Sequence, residues 1–583
     1  MTKPSRRGSN RWIDTETGFI GAAWFWPPQT EAASTAVVIV PGIAHEERTM
    51  NGGLVALAES LADAGLPALL MELHGCAQSA GYLDDTNVVA CWHAGMRAAV
   101  QHARDSGARR VIVVGVRLGA LLAAEALAHE PLEAFIAWAP IVSGRRYVRE
   151  LRLLRRVTDA ENAATGMIEI GGFGIPAAVL EHISCLDLAQ IETLNAPHVL
   201  LRERSESLNA PWLARLGDCG KVVQEQASAQ IRPWLFSSSD SPILPMEDIK
   251  ALTKWCRALT DGRPVDVHPS PRQPATCPTV EFVHQGRRVR ETFVEIGSNG
   301  LTGVLSEPAD GAHKHAVRLL VSTVGPGRTF TNFARDEAGR GNTSLRFDFA
   351  GFGTSGRGAA MQGGELNTNQ GSRDVLAAIE YLRNAGHHQI YALGFCAGGW
   401  SLMQAEVAPE LRALVAINVA LYRQPIAGGP GLLDEAGRQR GGVLSALAQR
   451  PLAQRITTRL IRALGKRREP IEWLSRLCSA DVRVLLAYAD LDPGLEYLNS
   501  QLAKGLAEQL RQPFRLQVYA GLGHLAEGPL ARARLFQDIA EFFADLDRHC
   551  SLAAPRSIDL TCVGPGATPN QYRAECELAD RDS

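Results

Sequence analysis

Three residues in the second half of the chain have the types and the order needed for acyl transfer. Cys396 lies in GFCAG (394–398), where an apolar run ends and a small-residue helix begins. Asp492 follows in YADLDPG, past the end of another apolar run, and His524 follows in GLGHLAEG. A nucleophile framed by glycines at a strand-to-helix turn, then an acid, then a histidine is the chain order of a nucleophile elbow and its partners. His524 would take the thiol proton so that the thiolate attacks a carbonyl carbon, and Asp492 would fix the imidazole tautomer and stabilise its cation. The N–H of Ala397 would be one oxyanion donor. A second is expected from STVGPGR (322–328), at Val324 or Gly325. A lone cysteine is more often a buried structural residue; elbow, acid and histidine in order favour catalysis. Asp490 competes with Asp492, which is preferred because the Asp-Pro-Gly turn projects it beyond the strand. His549, on an acidic and apolar helix, is expected at the surface.

A second elbow frame stands 279 positions upstream, in GVRLG (115–119), with Arg117 where the nucleophile belongs. Its acid strand, 196–207, places Ser207 where Asp492 sits, and no histidine occurs between 199 and 267. With all three residues missing, this half is expected to be inactive. Arg117 would either bind a carboxylate or phosphate ligand bidentately or pair internally with Glu46, Glu47 or Glu72. His74 reads as a loop histidine rather than a replacement base.

The elements that must position these residues repeat as well. TAVVIVPG (35–42) matches HAVRLLVS (315–322), MELHGCAQSAG (71–81) matches RFDFAGFGTSG (346–356), and helical segments at 95–110 and 374–389 match each other. Landmarks in one order at nearly one offset mark a duplication of whole domains. Strands alternating with helices predict, in each half, a mostly parallel sheet covered by helices on both faces. The fold class is therefore α/β, as two tandem α/β-hydrolase domains with helical cap insertions. Their expected extents are 1–261 for the degenerate domain and 281–550 for the catalytic one. Five prolines in 262–280 predict an extended linker, and the aperiodic stretch 551–583 is expected to be a mobile tail.

Composition narrows the class further. A length of 583 residues suits two large α/β domains, and 46% hydrophobic with 21% charged residues is globular. A net charge of -2 gives no ground for nucleic-acid binding. No apolar run is long enough for a membrane span, and the first residues lack a signal-peptide core. Eleven cysteines without a C-x-x-C pair predict neither a disulfide framework nor a zinc site. A cytoplasmic protein without metal or cofactor is the expectation.

The first half, through VPGIAHEERTMNGG, LHGCAQSAG, GVRLGALLA, SGRRYVREL and GGFGIP, resembles the second type of exosortase A system-associated hydrolases. The second half, through GPGRTFTNFAR, LRFDFAGFGTSG, GFCAGG and LDPGLEYL, resembles the first type, with an altered oxyanion loop. GFCAGG is also similar to the cysteine elbow of polyhydroxyalkanoate synthases, although the rest of the chain is not. The resemblance implies an α/β-hydrolase pair beside exopolysaccharide or secondary-metabolite biosynthesis, with an Arg-bearing elbow typical of the first half. Arg-rich stretches lie where such domains carry a cap: 144–156, with six Arg and one Glu, and 423–476, with 11 Lys or Arg against four acids. They would suit an acyl-carrier protein or a coenzyme A phosphate, or form a solvated face or a seam between the halves. The expected substrate is an acyl thioester, with intramolecular contact between the two domains.

Overall fold

The computed structural model describes residues 8–27, 34–154, 166–203, 212, 221–236, 244–260, 278–311, 316–322, 324–356, 369–421, 470–502 and 514–550. The linker residues up to 277, the tail from 551, Ser207 and residues 422–469 of the second Arg-rich stretch lie outside this set.

Apolar runs, valine- and isoleucine-rich in the first half and richer in leucine and alanine in the second, build the two sheets. In the first half the strands are β1 (Gly8–Thr15), β2 (Gly18–Phe25), β3 (Thr35–Val40), β4 (Ala68–Met71), β5 (Arg110–Val116) and β6 (Ala134–Trp138). A separate hairpin, β7 (Ile168–Ile170) and β8 (Phe173–Ile175), precedes β9 (His198–Glu203) and β10 (Lys221–Gln226). Successive residues of β3 bury on opposite faces: Ala36, Val38 and Val40 in one apolar cluster, Val37 and Ile39 in the other. A strand buried on both faces reads as a continuous apolar run rather than an alternating one, which is why TAVVIV gives a strong signal.

The second half supplies β11 (Thr279–His284), β12 (Arg287–Ile296), β13 (Leu301–Pro308), β14 (Val317–Val321), β15 (Thr343–Phe347), β16 (Ile390–Phe395), β17 (Leu411–Ile417), β18 (Arg483–Ala489) and β19 (Arg515–Tyr519). The sheet orders are β1-β2-β4-β3-β5-β6-β9-β10 and β11-β12-β13-β15-β14-β16-β17-β18-β19. Apart from β11 the two orders coincide strand for strand, and so do their directions. The early strands are antiparallel and those from β4 and β15 onward are parallel. Each half is an α/β-hydrolase fold with helices on both faces of its sheet.

Two boundaries differ from the sequence expectation. The linker reading ran to residue 280, but β11 begins at Thr279 and pairs antiparallel with β12. The carbonyl of Pro278 accepts bonds from Trp12 Nε1 at 3.0 Å and from the amide of Phe293 at 2.8 Å. The matched helices start earlier than read, at Val88 and Asn369; the first turn of the second, 369–372, is polar and hides the apolar period, whereas that of the first, 88–91, is apolar.

The halves meet along β1 and β2 on one side and β11, β12 and β13 on the other. Trp12 stacks on Phe293 with centroids 4.3 Å apart, and Phe19 meets Phe282 at 5.1 Å. Beside these rings Arg335 and Arg346 share the buried Glu291, at 2.8 and 2.6 Å. Arg335 also donates to the carbonyls of Gln78 (2.6 Å) and Ser79 (3.1 Å) of the other half.

Candidate active site

β16 ends at Phe395, and Cys396 takes φ 47 and ψ -108 before the helix Ala397–Gln404 begins. Positive φ is uncommon in a residue other than glycine, and here the flanking glycines permit it. A Cβ on Gly394 would stand 2.4 Å from the amide of Gly399. The sharp turn leaves Cys396 half-buried, just past the C-terminal end of a central strand rather than inside the sheet. The amide of Ala397 is the first of the helix, and first-turn N–H groups have no intrahelical acceptor.

The structure brings Cys396, His524 and Asp492 together. His524 Nε2 is 3.3 Å from Cys396 Sγ, and His524 Nδ1 is 2.5 Å from Asp492 Oδ2. The other carboxylate oxygen of Asp492 accepts the amide of Gly494 at 2.7 Å, which is the Asp-Pro-Gly turn holding the acid in place. Asp490 is exposed, whereas Asp492 is buried. The bond to Asp492, then the one to Cys396, raise His524 to about 10, outweighing the opposing effect of its burial. His549 belongs to the helix Pro529–Cys550.

Two further residues hold the histidine loop, and both escape a reading by residue type. Asn418 follows β17 with φ 47, a conformation asparagine tolerates well. Its Nδ2 donates to the carbonyl of His524 at 2.9 Å, and its Oδ1 accepts the amide of Ala489 at 2.8 Å. It thus ties the acid strand to the histidine. Its counterpart after β6, Ala139 at φ 47, has no such side chain. Glu527 accepts the amide of Leu525 at 2.8 Å. An asparagine directly after a buried apolar strand was the available signal for Asn418.

On the oxyanion side the expectation needs correction. The amide of Gly325 turns toward Ser322 Oγ, at 3.3 Å, so it faces the loop interior. The carbonyl of Val324 accepts the amides of Phe330 (3.0 Å) and Thr331 (3.4 Å), fixing the loop on the next helix.

Arg117 reproduces the elbow, with φ 54 and ψ -122 before the helix Leu118–Ala126. The ligand-contact expectation for it does not hold. Its Nε donates to Glu46 at 2.9 Å and its Nη2 to Glu150 at 3.0 Å, with the Tyr147 ring 5.6 Å away. Only 3% of its side chain is exposed. Tyr147 and Glu150 lie on the Arg-rich helix Gly144–Leu154, which closes over the elbow. Burial selects a fully paired guanidinium here. Glu47 and Glu72 instead face Arg328 of the other half. His74 pairs with Asp85 at 2.7 Å, as a loop histidine.

Some solved structures show a distant similarity to this chain. Similar solved structures include an α/β serine hydrolase without a lid from Xanthomonas campestris (13% identity, 45% of this chain and 98% of that one, TM-score 0.30). A dienelactone hydrolase from Anabaena variabilis (16%, 46% and 98%, 0.30) and a proline iminopeptidase from Mycobacterium smegmatis (14%, 43% and 98%, 0.31) are others. No protein-family model matches the chain, and no curated protein is significantly similar to it. The fold class follows from the strand orders and elbows, independently of these distant likenesses. Among the described residues no helix is long and apolar enough to cross a membrane, and no three His, Cys, Asp or Glu side chains cluster to hold a metal.

Proposed function

We propose that the C-terminal domain, 281–550, is a cysteine-dependent acyltransferase or thioesterase whose acyl group passes through a thioester on Cys396. The observation that carries this reading is the continuous relay from Cys396 Sγ through both nitrogens of His524 to Asp492. With His524 raised to about 10, the proton shared across the 3.3 Å contact between Sγ and Nε2 rests on the imidazole at neutral pH. The sulfur attacks the carbonyl carbon of an acyl thioester, and the oxyanion forms against the amides of Ala397 and Val324. As the tetrahedral intermediate collapses, the donor thiol leaves with the proton of His524, and the acyl group stays on Cys396. An acceptor amine, thiol or hydroxyl then gives its proton to His524, attacks the thioester and releases Cys396. An acyl-carrier protein or coenzyme A is the expected donor, and a secondary-metabolite or exopolysaccharide product fits the family resemblance.

A second reading is simple ester or thioester hydrolysis. It is favoured by the 41% exposure of the His524 side chain, which keeps water within reach of the relay. A third, a non-catalytic scaffold, predicts no thioester at all.

Intact-protein mass spectrometry with acyl-coenzyme A donors tests the reading. An acyl adduct on the wild type that Cys396→Ala lacks is the expected result, and an adduct of equal size on that variant overturns it. Product analysis with added amine or alcohol separates transfer from hydrolysis.

A further inference from the structure

The hairpin β7–β8 belongs to the inactive half, yet its tip lies against the two loops on which the triad reading depends. The turn residues Gly171 and Gly172 have φ 57 and 83. A Cβ on Gly172 would stand 2.4 Å from the carbonyl of Leu525, the residue after His524. A Cβ on Gly327, in the oxyanion loop, would stand 2.0 Å from the carbonyl of Gly172. One glycine peptide thus fills the gap between histidine loop and oxyanion loop, and only glycine fits it.

Charge secures the contact. Glu169, the middle residue of β7, is buried and accepts the amide of Gly528 at 2.9 Å. It also pairs with the guanidinium of Arg532. Arg532 Nη1 donates in turn to the carbonyls of Gly172 (2.9 Å) and Ala526 (2.8 Å). Hairpin and histidine loop therefore share one cation. On the other side Arg328, which ends the oxyanion loop, donates to the carbonyl of Ala77 at 2.9 Å and to those of Ser79 and Gly81. Thr331 Oγ1 reaches the same Ala77 carbonyl at 3.2 Å. Both loops of the active site are thus held from outside their own domain.

We infer that the N-terminal half is retained as the positioning element of the C-terminal active site: Gly172 and Glu169 set His524, and the 77–81 loop sets the oxyanion donors through Arg328. The inference rests on the triad reading above. Its physical basis is that loop-borne catalytic groups drift unless packed, and that a displacement of about 1 Å can cost on the order of 100-fold in rate. None of these residues touches a reacting atom, so each acts through His524 or the oxyanion loop.

The test uses the full-length chain and the variants Gly172→Ala and Glu169→Ala. Gly286→Ala serves as a control: it carries the same left-handed backbone strain, at φ 78, with nothing within 4 Å of the added Cβ. Two readouts report position rather than stability. One is amide hydrogen exchange of the segment 521–528. The other is the pH profile of Cys396 alkylation by iodoacetamide. An ordinary thiol, with a pKa of about 8.5, gains roughly tenfold in rate per pH unit below that value, whereas a thiolate held by imidazolium gives a flat profile. Wild type and control should be flat, with 521–528 protected. In both variants exchange of 521–528 should accelerate by at least about tenfold, and the profile should steepen toward that of an ordinary thiol. If Glu169→Ala does not fold, Gly172→Ala, which removes no bond, decides alone. Unchanged exchange overturns the inference, and so does faster exchange with a flat profile. A wild-type profile like that of a free thiol overturns the triad reading itself, and this inference with it.

Discussion

His524 keeps its proton well above the pH at which a free imidazole loses it, and Asp492 is the main cause. The sign for stability follows. A histidine raised in the folded state contributes stability that is fully present below its unfolded value of 6.5 and is lost as pH rises through about 10. The wild type should thus exceed His524→Ala in thermal midpoint at pH 6, with the difference shrinking toward pH 10; a constant difference would contradict the relay. Catalysis separates the two acids. Asp492→Asn should lower kcat/KM for an acyl thioester by about 10³–10⁴-fold, through loss of the imidazole tautomer. Asp490→Asn, at an exposed position, should leave it within about twofold. Equal losses in steady-state assays would reverse the assignment. Arg117 makes the complementary case. Arg117→Met strands the buried Glu46, which should cost about 3–5 kcal/mol in denaturant unfolding. Acylation of Cys396 should be unaffected well below the transition, because this elbow serves its own domain.

At the scale of elements, what was legible followed from local period and glycine. Continuous apolar runs gave the strands because both sheet faces are buried, and glycine frames gave the elbows because the turn admits no other Cβ. The order of nucleophile, acid and histidine was legible because those elements recur in one topology. What stayed hidden has no local signature. The sequence offers the amide of Gly325 as an alternative to that of Val324 for the second oxyanion donor, but it donates to Ser322 Oγ, three residues back. The Arg328 acceptors are backbone carbonyls some 250 positions away, and any residue type can offer a carbonyl. Asn418 is intermediate: its position after β17 was visible, its span from Ala489 to His524 was not. That span makes a prediction. Asn418→Ala frees the histidine carbonyl without touching the relay. It should lower kcat by about 10–100-fold with little change in KM; an effect confined to KM would place Asn418 at substrate binding instead.

For the whole molecule, the question is why a domain with Arg117 at its elbow remains joined to one that brings Cys396, His524 and Asp492 together. The seam supplies a physical answer in its buried charge. Glu291 would be pushed up by burial, but the guanidiniums of Arg335 and Arg346 outweigh this and hold it at about 2. A depressed carboxyl contributes stability that is present above its unfolded value of about 4.5 and is lost as pH falls through about 2. The seam should therefore persist in mild acid, at pH 4, where unpaired carboxylates are already partly protonated. Both arginines also reach Gln78, Arg335 through its carbonyl and Arg346 through its side chain, so Glu291 aligns the cations that cross between domains. Glu291→Gln would leave two buried guanidiniums without their anion, a loss on the order of 3–5 kcal/mol. Scanning calorimetry should show one merged transition for the wild type at pH 7 and at pH 4. Glu291→Gln should give two separated transitions at both. If the variant keeps a single transition at an unchanged midpoint, the charge cluster does not couple the halves, and the aromatic contacts of Trp12 and Phe19 alone carry the seam.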